Sequence, residues 1–177
     1  MHSTEKTNEI AKKIKLLILD IDGVLTDGGI YFDDTGKELK KFNSLDGHGI
    51  NMLLSSGIEV GVITARSTSS VSYRLKDLGV KHYYHGISDK SIALTELTDK
   101  LSIELSQVCY VGDDVIDLAV MTKVALPIAV ANAHSFVKEH SILVSEKCGG
   151  SGAVREVCDF LLKSQGKYDA LMESYLK

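Results

Sequence analysis

LLILDIDGVLTDG, residues 16–28, packs five apolar residues into seven positions and then sets Asp20, Asp22 and Asp27 around a turn. A run this short and this apolar predicts a strand buried on both faces, as at the centre of a parallel sheet. Carboxylates crowded at its end repel one another unless a cation lies among them. With no His or Cys close by, these hard oxygen ligands suit Mg2+ rather than zinc.

Outward from this stretch the chain alternates. Strand-length apolar runs occur at Ile14–Leu19, Ile58–Ile63, Val80–Tyr84, Val108–Val111 and Val124–Ile128. Helical spacing lies between them at Ile50–Leu54, Val71–Leu78, Ile92–Leu101 and Val115–Met121, and a last helix is expected over Gly152–Ser164. Gly57 and Gly79 stand where the first two helices should stop. Strand, helix, strand, repeated, requires right-handed crossovers, and so an α/β fold: a Rossmann-like, mainly parallel sheet between two helical layers. Residues 28–42 break the alternation, with two short strand-like runs around Asp33-Asp34-Thr35-Gly36, and predict a β-hairpin flap.

The chain of 177 residues is one domain's worth, expected over 14–166 with the flap as an insertion. Residues 1–13 read as a flexible tail and 167–177 as a polar tail with a few apolar anchors. No apolar run approaches the ~20 residues that span a bilayer, so no membrane partner is expected. A net charge of −4 without a basic stripe argues against nucleic acid. Cys109, Cys148 and Cys158 are an odd number and form no CxxC pair, which fits a reducing cytoplasm.

In an open parallel sheet the ligand sits beyond the carboxyl ends of the strands. There stand Asp20 and Asp22, Thr64 in VITAR, Lys90 in GISDK, and Asp113, Asp114 and Asp117 in YVGDDVID. Asp20, which closes the buried strand, is the expected nucleophile toward phosphorus. Asp22, two residues on, can protonate a leaving alkoxide and then activate water. Thr64 would hydrogen-bond a phosphoryl oxygen and Lys90 would neutralise its charge. Asp20, Asp22 and Asp113 are the candidate metal ligands; Asp114 and Asp117 read either as outer supports or as charge at a helix N-terminus. Taken singly, each acid is more simply a turn or cap residue; it is the set that points to chemistry.

DIDGVLTDGG, ITAR, GISDK and YVGDDVIDLAVM resemble the four motifs of the haloacid dehalogenase superfamily, in their usual order. FNSLDGHGI, LPIAVANAH and GGSGAVREVCDFLL narrow the resemblance to its 3-deoxy-D-manno-octulosonate 8-phosphate (Kdo 8-phosphate) phosphatase branch, over about 15–166. The resemblance implies an Mg2+-dependent sugar phosphatase of lipopolysaccharide synthesis, with no separate cap domain. In it Asp20 is nucleophile, Asp22 is acid/base and a metal ligand through its backbone carbonyl, and Asp113 is the third ligand. It also implies a homotetramer built through the 28–42 hairpin, with the tail from Lys167 as a partial lid on a neighbour's site. Arg66 would hold the sugar carboxylate; relatives acting on a nine-carbon acid carry glutamate there. Asp46, Gly47, Gly49 and Arg74 are further pocket candidates.

Two other functions share these residue types. A nine-carbon sugar acid 9-phosphate would use the same chemistry. A phospho-accepting signalling receiver also uses acids, Thr and Lys at strand ends, but there the lysine follows all the acids, whereas here Asp113 follows Lys90.

Overall fold

A computed structural model describes residue 1 and residues 3–177. In chain order the elements are α1 (Glu5–Ala11), β1 (Leu16–Leu19), β2 (Tyr31–Phe32), β3 (Glu38–Leu39), α2 (Ser44–Ser55), β4 (Glu59–Ile63), α3 (Ser69–Asp77), β5 (His82–Tyr84) and α4 (Lys90–Leu101). There follow β6 (Val108–Gly112), α5 (Leu118–Met121), β7 (Leu126–Ala129), α6 (Ser135–Glu139), β8 (Leu143–Val144), α7 (Ala153–Ser164) and α8 (Tyr168–Ser174).

Six strands form one parallel sheet in the order β5-β4-β1-β6-β7-β8. All four residues of β1 are buried, which is the physical reason for its unbroken apolar run: helices cover both faces and no face is left for polar side chains. α1, α2, α7 and α8 pack together, and α4 and α5 form a second group. The chain runs from β1 outward through β4 and β5, then returns to the other flank of β1 with β6. The strand order therefore reverses between β1 and β6, and the crevice beyond their carboxyl ends is where such a sheet offers a binding site. Leu19 lies opposite both Val62 and Val111, so Asp20, Thr64 and Asp113 emerge within about one residue of a common level.

The flap is a separate antiparallel pair with Tyr31 opposite Leu39 and Phe32 opposite Glu38. No separate cap domain stands over the sheet among the described residues. Asn43 caps α2 by accepting the Leu45 N–H, and Asp89 caps α4 through the Ser91 N–H.

Some expectations need correction. The 1–13 tail is not unstructured over its length: α1 forms there, capped by Thr4, with Thr7 and Ala11 buried; His2 lies outside the described residues. Residues 115–121 do not make one helix. A single turn, Val115–Asp117, precedes α5, because Asp114 and Asp117 hydrogen-bond the local backbone instead of extending a helix. α6 and β8 were not anticipated, being too short to show a period. The 167–177 tail contains α8, which lays Tyr168, Leu171 and Met172 against the core of its own chain.

Candidate active site

β1 delivers Asp20 with its N–H bonded to the Val111 carbonyl at 3.2 Å. The chain then makes one wide turn, closed by the Thr26 N–H on the Ile21 carbonyl at 3.0 Å. Gly23 takes φ 89° inside it, and a Cβ there would fall 2.0 Å from Asp113 Oδ2. Glycine is thus required twice, for the left-handed backbone and for the close approach of the turn to Asp113.

Behind the acids lies a buried charge cluster. Asp20 is 4% exposed, Lys90 2% and Asp117 0%. Lys90 Nζ donates to Asp20 Oδ1 and to Asp117 Oδ1, both at 2.7 Å, and the Tyr110 hydroxyl donates to Asp117 Oδ1 at 2.7 Å. Asp117 Oδ2 accepts the N–H groups of Asp113 and Asp114 at 2.9 and 3.3 Å. Both oxygens of Asp117 are thereby committed, so this residue fixes Lys90 and the Asp113 loop rather than facing a ligand.

Carboxylate oxygens of Asp20, Asp113 and Asp117 lie within 4.8 Å of one another. Burial and then the Asp117 charge push the Asp20 carboxyl up to about 7, against the pull of Lys90. Burial, then Asp117, Asp20 and Asp114, push Asp113 up to about 7 as well, with Lys90 opposing. More negative charge is gathered here than one lysine offsets, and the free donors are oxygens. That is the donor set of a hard divalent cation, so Mg2+ fits Asp20 and Asp113.

The acids open into a cavity of about 240 Å3 lined by Asp20, Asp22, Gly28, Thr64, Ala65, Arg66, Asp113, Asp114 and Ile116. A larger cleft of about 710 Å3 runs between α1 and α7 and contains none of these groups. Thr64 is buried, with its hydroxyl accepting the Arg66 N–H at 3.2 Å. Asp114 caps the 115–117 turn through the Val115 N–H at 2.7 Å. Arg66 is half exposed at the rim, where its Nη2 meets Glu38 Oε2 of the flap at 2.8 Å.

The structure therefore brings together Asp20, Asp22, Thr64, Arg66, Lys90, Asp113, Asp114 and Asp117. It does not bring Asp46, Gly47, Gly49 or Arg74 to this cavity. Asp46 is buried and accepts the N–H groups of Gly152 and Arg155 at 3.3 and 2.8 Å, closing the start of α7. Gly47 leaves room for the Arg74 guanidinium, which pairs with Asp77, and Gly49 leaves room for Arg155 and Cys158 of α7. The cause is helix packing: α2 turns Asp46, Gly47 and Gly49 toward α3 and α7, and Arg74 on α3 packs against Gly47. Sequence reasoning missed Tyr110, Glu38 and Lys40. The signal for Tyr110 was a hydroxyl in a fully buried strand, which has to find a partner. For the flap pair no local signal exists.

The family model for haloacid dehalogenase-like hydrolases matches residues 84–156. The 3-deoxy-D-manno-octulosonate 8-phosphate phosphatase KdsC of Escherichia coli strain K12 is 52% identical over 159 residues, covering 90% of this chain and 85% of that protein. A crystal structure of the phosphatase of the same name from Yersinia pestis superposes with a TM-score of 0.93 at 44% identity, covering 94% of this chain and 90% of that one. Another, from Moraxella catarrhalis in complex with magnesium ion, phosphate ion and KDO, gives a TM-score of 0.95 at 41% identity over 98% of this chain and 99% of that one. With half of all residues shared along nearly the full length, and the acids, threonine and lysine gathered at the sheet's switch point, this chain belongs to the 3-deoxy-D-manno-octulosonate 8-phosphate phosphatases among the haloacid dehalogenase-like hydrolases.

Proposed function

We propose that this chain hydrolyses Kdo 8-phosphate to Kdo and phosphate through a phosphorylated Asp20, in lipopolysaccharide synthesis. The observation that carries the chemistry is Asp20 itself, buried at the strand end, held by Lys90 at 2.7 Å and opening into a cavity shared with Asp22, Thr64 and Asp113. Asp20, Asp113 and the Asp22 backbone carbonyl would hold Mg2+, which when bound would supply the positive charge that lets an anionic nucleophile approach an anionic phosphoryl group. The Asp20 carboxylate attacks phosphorus, and the bond from phosphorus to the sugar oxygen breaks. The Asp22 carboxyl donates its proton to that oxygen. Asp22 then takes a proton from the water that attacks the acyl phosphate, releasing phosphate and restoring Asp20. The Thr64 hydroxyl hydrogen-bonds a phosphoryl oxygen, and Lys90, fixed by Asp117 and Tyr110, balances the charge that gathers there. Arg66 at the rim offers a planar fork to the sugar's carboxylate.

A panel of phosphorylated sugar acids with eight and nine carbons, assayed with and without magnesium, tests this reading. Magnesium-dependent turnover with preference for the eight-carbon acid is expected; a clear preference for nine carbons overturns the substrate, and no sustained turnover overturns the enzyme.

The same reading includes a cytoplasmic homotetramer. Ile30, Tyr31, Phe32 and Leu39 give the flap an exposed apolar surface, which supports burial between subunits. Tyr175 and Leu176, exposed at the chain end, support a tail that reaches over a neighbour's site. Three cysteines without disulfides support a reducing compartment, and no helix among the described residues is long and apolar enough to cross a membrane.

A further inference from the structure

We propose that the flap is part of its own subunit's active centre, with Lys40 as a positioning residue that sets the Asp22 carboxylate for proton transfer. This rests on the reading of Asp22 as acid and base.

Lys40 follows β3, and its side chain is 1% exposed. Its ammonium contacts Asp22 Oδ1 and lies 2.7 Å from Glu38 Oε1. Glu38 Oε2 in turn accepts from Arg66 Nη2 at 2.8 Å, and Arg66 Nε is 3.9 Å from Asp22 Oδ2. Asp22, Lys40, Glu38 and Arg66 thus close a ring of alternating charge at the cavity mouth, drawn from the turn after β1, the flap and the loop after β4.

A buried ammonium is stable only where anions surround it, so Lys40 is confined to the gap between Asp22 and Glu38. The confinement works in both directions. With Oδ1 held by Lys40, the Asp22 carboxylate loses rotational freedom, and Oδ2, which Arg66 Nε approaches only to 3.9 Å, stays open to the reacting groups. A general acid must stand within about 3 Å of the oxygen it protonates, so such a restraint acts directly on rate. Lys40 does not line the cavity, whereas Asp22 does. Lys40 therefore acts through Asp22 and not on the phosphoryl group.

The two substrates that separate this role from a structural one are Kdo 8-phosphate, whose leaving alkoxide needs a proton, and p-nitrophenyl phosphate, whose leaving group does not. The parameter is kcat/KM of the magnesium-loaded full chain, because it reports only the steps up to departure of the leaving group. Lys40→Met is expected to lower kcat/KM about 10- to 100-fold on the sugar phosphate and about threefold or less on p-nitrophenyl phosphate, with Lys40→Arg recovering part of the loss. In an Asp22→Asn background, Lys40→Met should add nothing further. Equal losses on both substrates, or a full additional loss in that background, overturn the role of Lys40. Asp22→Asn with undiminished kcat/KM on the sugar phosphate overturns the acid reading itself, and this proposal with it. If Lys40→Met fails to fold by thermal melt, Glu38→Gln loosens the same restraint, and its leaving-group selectivity decides in the same way.

Discussion

Asp20 and Lys90 show how one side chain can be legible while its setting is not. The aspartate could be read as a nucleophile because it ends an apolar strand, but its burial against Lys90, Asp117 and Tyr110 is a product of four separate segments. Asp20→Asn should abolish phosphate release while leaving the melting temperature within a few degrees of the parent, since Lys90 retains Asp117 as a partner; turnover near the parent's would exclude covalent catalysis at this position. The paired carboxyls of Asp20 and Asp113 make a second prediction. Both are pushed up to about 7 in the metal-free protein, whereas an unfolded Asp titrates near ~3.9. The fold therefore holds protons that the unfolded chain has released. Their contribution to stability is complete below about pH 4 and is lost as pH rises through about 7. Added Mg2+ should accordingly raise the melting temperature more near pH 8 than near pH 5, because at low pH it must displace protons. At about 100 times its Kd the ion is worth ~2.7 kcal/mol. Differential scanning at the two pH values checks the sign, and chelation by EDTA should stop turnover reversibly.

Two irregular segments at the scale of elements hold the site in shape. The turn after Asp20 lies under the loop between β8 and α7: the Gly150 N–H bonds to the Val24 carbonyl at 2.9 Å, and a Cβ on Gly149 would stand 1.6 Å from the Gly23 carbonyl oxygen. Backbone against backbone leaves no flexible side chain to give way. Gly149→Ala should therefore shift the Asp22 turn, lowering kcat and costing about 1–3 kcal/mol of stability; paired kinetics and chemical denaturation check both. Of the GGSGAVREV stretch, spacing predicts the helix from Gly152, whereas the glycine loop ahead of it was readable only as part of a resemblance. Its contact with a turn more than a hundred residues earlier carries no local pattern. The flap was readable as a hairpin from its turn residues, but not its pairing of Lys40 with Asp22.

For the whole molecule, the exposed flap bears on assembly. Four large apolar side chains exposed within residues 30–39 of the flap, Phe32 at 62% among them, are costly on an isolated subunit. Light scattering of the parent should give a tetramer's mass. Phe32→Asp should shift it to smaller species while the core, which does not include the flap, keeps its fold. Removal of the residues after Gly166 should alter turnover and substrate affinity. It should also lower stability modestly, because α8 packs Leu171 and Met172 on its own core.

Composition and periodicity by themselves determined the α/β alternation, the central buried strand, the helix stops at Gly57 and Gly79 and the hairpin, because each is a local consequence of side-chain spacing or turn chemistry. They also placed Asp20, Asp22, Thr64, Lys90 and Asp113 at strand or helix ends, which a parallel sheet necessarily gathers on one edge. Only the tertiary structure decided which neighbours matter. It withdrew Asp46, Gly47, Gly49 and Arg74 into the packing of α2 against α3 and α7, ordered Glu5–Ala11 as a helix, and joined Lys40 and Glu38 to the site. Those outcomes depend on which helix faces meet and on how buried charges find partners across the chain, and neither is written in the spacing of residues along it.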